Sequence, residues 1–307
     1  MVRDSKSLEE RGARRDGLLP MPEMCRSRYR ELDTFQGEVN KGLMKHNKIY
    51  CENCLDTMGR MDDGFVDLTV TSPPYDNLRD YKGFEFNFQA ISKELFRITK
   101  DGGVVVWVVA DATINGSETG TSFRQALGFM DVGFRLHDTM IWNKGGFTAT
   151  GSLAIRYAPV FEFMFVLSKG KLNAFNPIKD RVNSCHKKKQ CGRIRKEDGS
   201  YKDKPTKGHR TQKLGQRFNV WLCHQEHSST KRTGHPAQFP EALARDHIIS
   251  WSNPGDLVYD PFMGSGTTAK MAYQLDRKFI GSEISSEYVE LANKRLKPVL
   301  NQGLLYR

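Results

Sequence analysis

A doubly wound α/β fold, with a largely parallel sheet and one inserted segment, is the architecture that this chain of 307 residues predicts. Three observations carry the prediction. Short apolar runs alternate with stretches of helical spacing, as expected of strands buried on both faces between covering helices. One run, Leu257-Val258-Tyr259-Asp260, leads directly into a glycine-rich turn and then a helix. The stretch from Lys169 to Arg232 breaks this rhythm and is rich in Lys, Arg, Gly, Asn and His.

The elements follow in order. Residues 1–45 are polar and charged, with Arg14-Arg15 and Arg26, Arg28 and Arg30, and read as an irregular basic arm. Residues 46–168 form the first half of the α/β domain. Val66 to Val70 is a β-branched strand ending at Thr71-Ser72-Pro73-Pro74-Tyr75. Phe88 to Thr99 has Ile91, Leu95, Phe96 and Ile98 at helical spacing. Gly102-Gly103 turns into the strand Val104 to Val109. Ser122 to Met130 is a helix, and Leu136 to Trp142 and Phe161 to Leu167 are strands. Residues 169–232 are the insertion. Residues 233–307 resume the pattern: helix from Pro240 to Trp251, strand Leu257 to Asp260, helix Thr267 to Leu275, strand Lys278 to Gly281, and helix Ser286 to Leu296. No internal repeat is visible.

Net charge is +11 and is localised: the insertion holds 18 Lys/Arg against 5 Asp/Glu, leaving the rest of the chain slightly acidic. That favours a polyanionic partner. No apolar stretch reaches the roughly 18 residues of a membrane span, and the N-terminus lacks the apolar core of a signal peptide. Six irregularly spaced cysteines suggest no disulfide scaffold, so a cytoplasmic setting is expected. Cys185-His186, Cys191, Cys223-His224 and His227 fit no standard zinc spacing, and no metal is expected.

In Asp260-Pro261-Phe262-Met263-Gly264-Ser265-Gly266-Thr267-Thr268, strand, turn and helix bring backbone N–H groups to one point. Gly264 and Gly266 remove side chains where a ligand comes close. Glu283 lies 19 residues past Gly264, at the end of the next strand, the place for a carboxylate that accepts from ribose hydroxyls. Taken alone, Gly264-Ser265-Gly266-Thr267-Thr268-Ala269 also fits a nicotinamide-dinucleotide turn. Ser72-Pro73-Pro74-Tyr75 suits a flat, amino-bearing ring. Prolines lack an N–H and stiffen the turn, so carbonyls point out as fixed acceptors. Ser72 can exchange a hydrogen bond with the ring edge, and Tyr75 offers a face for stacking an extruded base.

Both strings closely resemble motifs of the N4-cytosine/N6-adenine DNA amino-methyltransferases. The catalytic motif of that family is [DNS]-P-P-[YFW], and its Ser form is typical of N4-cytosine members. The order here, catalytic motif, basic insertion, cofactor motif, resembles the permuted β group. This implies a Rossmann-like methyltransferase sheet and S-adenosylmethionine as cofactor. It assigns Ser72, Pro73, Pro74 and Tyr75 to catalysis. Phe262 packs on the adenine, Gly264 and Gly266 let the chain pass the methionine end, and Glu283 takes the ribose. Asp260, Pro261 and Thr267 belong to the same loop. His235 and Pro236, in Gly234-His235-Pro236-Ala237-Gln238-Phe239-Pro240, resemble the segment covering the methionine moiety. Asn53 and Cys54 match a segment near the adenine, where relatives usually have Asp in place of Asn53.

The insertion falls where this family keeps its target-recognition region. Lys187, Lys188, Lys189, Arg193, Arg195, Lys196, Arg210, Arg217, Lys231 and Arg232 are candidate contacts to double-stranded DNA. The expected function is site-specific N4-cytosine methylation of DNA within a restriction–modification system. That reading adds a cognate endonuclease acting on the same site and, by analogy with the β group, a homodimer. N6-adenine methylation is the nearest alternative. A dinucleotide-dependent oxidoreductase leaves Ser72-Pro73-Pro74-Tyr75 unexplained, and a non-catalytic DNA-binding protein leaves both motifs unexplained.

Overall fold

The computed structural model describes residues 44–74, 86–146, 155–190, 192–224 and 240–301. Strand β1 (Lys48–Cys51) leads into helix α1 (Cys54–Gly59), then β2 (Val66–Thr71), α2 (Phe88–Ile98) and β3 (Thr99–Val109). A short ribbon of β4 (Thr113–Ile114) and β5 (Ser117–Glu118) precedes α3 (Thr121–Asp131), β6 (Arg135–Asn143) and β7 (Phe161–Ser168). Within the basic segment lie β8 (Arg181–Val182), β9 (Arg193–Arg195), β10 (Tyr201–Asp203), β11 (Leu214–Gly215) and β12 (Val220–Leu222). The chain closes with α4 (Glu241–Trp251), β13 (Leu257–Asp260), α5 (Thr267–Gln274), β14 (Lys278–Glu283) and α6 (Ser286–Asn301).

Eight strands form one sheet in the order β1-β14-β13-β2-β3-β7-β6-β12. Seven run in one direction, and β7 alone is reversed, antiparallel to both β3 and β6. The uninterrupted apolar run of β3 explains its central place. Val104, Val106 and Val108 pack into a core with Leu243, Ala244 and Ile248 of α4 and Ala269 and Ala272 of α5. Val105, Trp107 and Val109 face the opposite core, with Met58 of α1, Ile91, Leu95 and Ile98 of α2, and Phe129 of α3. Successive residues of a strand point to opposite faces, so an all-apolar strand requires helices on both.

The halves meet in the middle of the sheet. From β2 the chain passes through α2 to β3 on one side; from β13 it passes through α5 to β14 on the other. β2 and β13 are parallel neighbours, Val258 opposite Leu68 and Tyr259 opposite Thr69. The connections leave in opposite directions, so a crevice opens beyond the carboxyl ends of this pair, the switch point where open α/β sheets bind ligands.

Several elements differ from the sequence expectations. β3 begins at Thr99 rather than Val104, because Val66 pairs with Thr99 and Leu68 with Val104, leaving residues 100–103 as a bulge inside the strand. Gly102 has the positive φ of a turn, 82°, within that bulge. Helix α6 continues to Asn301 past Pro298, whereas its last buried apolar residue, Leu296, had suggested the end. The short β1 was not expected. β12 lies within residues 169–232 and yet joins the main sheet beside β6, with Trp221 buried. The basic segment is therefore anchored in the α/β core at its far end.

Candidate functional site

The crevice is built by two loops, one after β2 and one after β13. The β2 loop begins with Ser72, Pro73 and Pro74; Pro73 is buried and its two neighbours are half-buried. Tyr75 lies outside the described residues, as do His235, Pro236, Lys231 and Arg232. The β13 loop turns at Asp260. The carboxylate Oδ1 accepts the Phe262 amide at 3.0 Å, an Asx turn that folds the chain back over the strand end. The same oxygen accepts the Thr71 hydroxyl at 2.6 Å. One buried side chain thus ties the residue preceding Ser72 to the glycine loop. A second tie runs from the Thr268 hydroxyl to the Val70 carbonyl at 3.3 Å. Burial pushes the Asp260 carboxyl up to about 6, although the Thr71 and Thr268 hydroxyls and the Phe262 amide favour its charged form.

Glu283 ends β14 beside this loop. Its Oε2 accepts the Gly264 amide at 2.8 Å and its Oε1 the Ser285 amide at 2.9 Å. Burial raises its pKa while these amides, with that of Ile284, oppose the shift. Gly264 and Gly266 both sit in the left-handed region, at φ of 51° and 80°. For Gly266 the structure supplies a reason the sequence did not: a Cβ there would lie 2.9 Å from the Cβ of Ala292 in α6. Gly266 is thus closely packed from behind the loop. At Gly281 a Cβ would meet Met263 Cε at 2.2 Å, the movable end of a flexible side chain, so the demand there is weaker. Pro261 and Thr267 are buried within it. The Phe262 ring is half-buried, 6.1 Å from Trp107 and 5.8 Å from Phe86, centroid to centroid.

Asn53 stands at the same sheet edge. Cys51 pairs with Glu283, and the Glu52 amide donates to the Glu283 carbonyl at 3.1 Å. The Asn53 Oδ1 caps α1 by accepting the Leu55 amide at 2.9 Å. Cys54 is buried, and burial pushes its thiol up to about 12, which makes it a neutral packing group.

Sequence reading missed the supports. Arg295 of α6 donates to the Ser265 carbonyl at 2.6 Å and to its hydroxyl at 2.8 Å, and reaches Glu241 at 2.9 Å. Lys270 meets the same carboxylate at 2.7 Å. Thr71, Ser265, Glu241 and Arg295 lie far apart in sequence and in no shared motif; an i, i+4 pattern cannot reveal them.

The basic candidates separate into two groups. Lys187, Lys188, Lys189, Arg193, Arg195, Lys196 and Arg210 are exposed. Arg217 is otherwise engaged. Its Nε donates to Asp180 at 2.9 Å, its Nη1 to Asp246 at 2.6 Å, and its guanidinium lies 5.1 Å from the Trp221 ring centre. Its bond to Asp246 ties the insertion to α4, and its guanidinium packs on Trp221 of β12.

A family model described as DNA methylase, for N6 and N4 enzymes, matches residues 66–294. The orphan methyltransferase M.BamHII of Bacillus amyloliquefaciens is 54% identical over 241 residues, covering 76% of this chain and 90% of that one. The Type II methyltransferase M.SmaI of Serratia marcescens is 28% identical over 290 residues, covering 81% and 90%. Among solved structures, the cytosine-N4-specific PvuII DNA methyltransferase shares the fold with a TM-score of 0.59 at 20% identity, covering 85% of this chain and 93% of that chain. The M1.HpyAVI complex with SAM has a TM-score of 0.56 at 22% identity, covering 81% and 99%.

Proposed function

The chain belongs to the N6/N4 DNA methylase family, and from that premise we propose that it transfers a methyl group from S-adenosylmethionine to the exocyclic N4 amino group of a cytosine flipped out of a DNA duplex. The observation carrying this reading is the juxtaposition of Ser72-Pro73-Pro74 and the Asp260–Gly266 loop at the switch point, joined through the Thr71–Asp260 hydrogen bond.

The residues present fit the cofactor. Glu283 receives the amides of Gly264 and Ser285 and is approached by that of Ile284; a carboxylate has about four acceptor positions, which leaves room for a ribose hydroxyl. Phe262 borders the loop for the adenine, with Asn53 and Cys54 near it; Asp260, Pro261, Gly264, Gly266 and Thr267 shape the backbone past the methionine end; His235 and Pro236 cover that end. When bound, the cofactor supplies an electrophilic methyl on a sulfonium.

The chain's own residues act on the amino group. Its lone pair is conjugated into the ring, so transfer requires that nitrogen become tetrahedral. Fixed acceptors along Ser72-Pro73-Pro74 hold the amino protons and aim the lone pair, with Tyr75 stacked on the ring. A serine hydroxyl is a poor base near neutral pH, so positioning dominates and the proton leaves after transfer. Ser72, in place of an acidic residue, is what favours cytosine.

The exposed lysines and arginines of the insertion, with Lys231 and Arg232, contact double-stranded DNA. The reading includes a cytoplasmic role beside a cognate endonuclease acting on the same site, in line with the Type II name of M.SmaI, whereas M.BamHII is named an orphan methyltransferase; by analogy with the β group the protein works as a homodimer.

The test is mass spectrometry of nucleosides from DNA of diverse sequence incubated with protein and S-adenosylmethionine. N4-methyldeoxycytidine is the expected product. N6-methyldeoxyadenosine would replace the target and keep the site, and no methylated base would overturn the reading. Ser72→Ala should lower methyl transfer by about 100-fold or more while DNA binding persists; retained activity removes Ser72 from the site.

A further inference from the structure

The basic segment contains a structural duplication that its sequence conceals. The turn from Asn183 to Gln190 and the turn from Lys204 to Thr211 make the same hydrogen bonds. In the first, the His186 amide donates to Asn183 at 3.2 Å and that of Lys188 to Cys185 at 3.1 Å; in the second, Lys207 donates to Lys204 at 2.9 Å and His209 to Thr206 at 3.0 Å. The bonds between the turns match as well. Lys187 donates to the Thr211 carbonyl at 3.1 Å and its counterpart Gly208 to that of Gln190 at 2.8 Å. Thr211 donates to Lys188 at 2.9 Å and its counterpart Gln190 to His209 at 2.8 Å. The counterparts Lys187 and Gly208 both have positive φ, 68° and 87°. Lys189 and Arg210, also counterparts, bridge each other across the centre. No matched pair has the same residue, so the repeat is one of backbone alone.

The two turns face each other across a cavity of about 350 Å³. Lys188 and Lys189 from the first turn, Lys204 and Lys207 from the second, and Thr206 and Thr211 line it. Among the described residues, no carboxylate lines it; Asp203 meets Lys207 from outside at 2.6 Å and Arg193 at 3.6 Å. Among the described residues Cys185 is the one thiol that lines it, the ammonium groups repel a cation, and no three His, Cys, Asp or Glu side chains converge on one point. Ammonium and hydroxyl donors held by a cross-bonded backbone suit a phosphate oxygen.

We propose that this duplicated turn is a phosphate seat which holds the DNA backbone between Lys188 and Lys189 on one side and Lys204 and Lys207 on the other. It rests on the reading of the protein as a DNA methyltransferase and adds Lys204, Lys207, Thr206 and Thr211 to its DNA-facing residues. They position the duplex without reading its sequence.

The experiment compares the full chain with Lys188→Ala/Lys204→Ala, one lysine from each turn, by DNA affinity at several salt concentrations. Each neutralised phosphate adds about 0.9 to the slope of log affinity against log salt, so the slope should become shallower by about 1 to 2. Lys294→Ala/Lys297→Ala, which removes two exposed charges from α6, should leave it unchanged. S-adenosylmethionine affinity and the urea midpoint report that each variant is folded. An unchanged slope in a folded turn variant overturns the proposal, as does an equal change in the α6 control. Inorganic phosphate that raises the thermal midpoint of the parent but not of the turn variant, with DNA slopes equal, also overturns it by assigning the cavity to a free anion. A changed slope in a protein that methylates no base leaves this seat standing and removes the reading of the reaction.

Discussion

Asp260 accepts the Thr71 hydroxyl and the Phe262 amide through one oxygen, so a single carboxylate holds two loops in register. Its charge is costly where it sits. With its pKa raised to about 6, the native chain holds this proton more tightly than the unfolded one, whose value is about 3.9. Stability therefore falls as pH rises from about 4 to about 6, by up to ~3 kcal/mol, and the cost persists at neutral pH. His247 works in the opposite sense. It is fully buried, stacked 4.5 Å from Trp221, and desolvation lowers its pKa to about 3. It must stay neutral to fold, so stability rises with pH up to about 6.5. The two slopes offset each other between pH 4 and 6. Asp260→Asn keeps an acceptor for Thr71 and Phe262 but removes one slope. Its urea midpoint should exceed that of the parent at pH 7.5 and climb more steeply from pH 4.5; a lower midpoint at pH 7.5 would show that the ionised form is stabilising. The motif Asp260-Pro261-Phe262 was legible in the sequence. The partner Thr71 was not, because 189 residues separate the two.

The glycine loop is constrained from the side of its helices. Sequence reading gave both Gly264 and Gly266 to the ligand, because a strand, a glycine turn and a helix look alike whichever side is crowded. Gly266 is crowded from behind, where α6 crosses. Gly266→Ala should cost about 1–2 kcal/mol for the left-handed backbone and more for the contact with Ala292. Ala292→Gly should recover the second part, so the two changes should couple favourably in a double-mutant cycle of urea midpoints. Additivity would show that the loop relaxes away from α6. Most element positions could be read from periodicity alone, as at α2, where Asn87 caps the helix by accepting the Ala90 amide at 3.1 Å. The bulge at residues 100–103 could not, since it depends on Gly102 and Gly103 exchanging backbone hydrogen bonds with Lys169 and Asn173 on the neighbouring connection.

At the scale of the molecule, the two motifs stand side by side because β2 and β13 are adjacent parallel strands drawn from distant parts of the chain. The cofactor loop contacts β2, β14 and α6 at once, so S-adenosylmethionine should bind the folded chain and not its unfolded form. At 100 times the dissociation constant it should add about 2.7 kcal/mol to unfolding, seen as a rise in urea midpoint; no rise at saturation would mean the loop binds nothing. Among the described residues no helix is long and apolar enough to cross a membrane. The sequence by itself determined the α/β class, the strands that end in each motif, and the concentration of positive charge between them, since burial on two faces, proline and glycine turns, and net charge are local properties of the chain. Tertiary structure alone decided which strands are neighbours, that Arg217 braces the insertion through Asp180 and Asp246, and that two turns of unlike sequence share one backbone pattern. Those outcomes depend on contacts between residues far apart in the chain, and no local pattern encodes them.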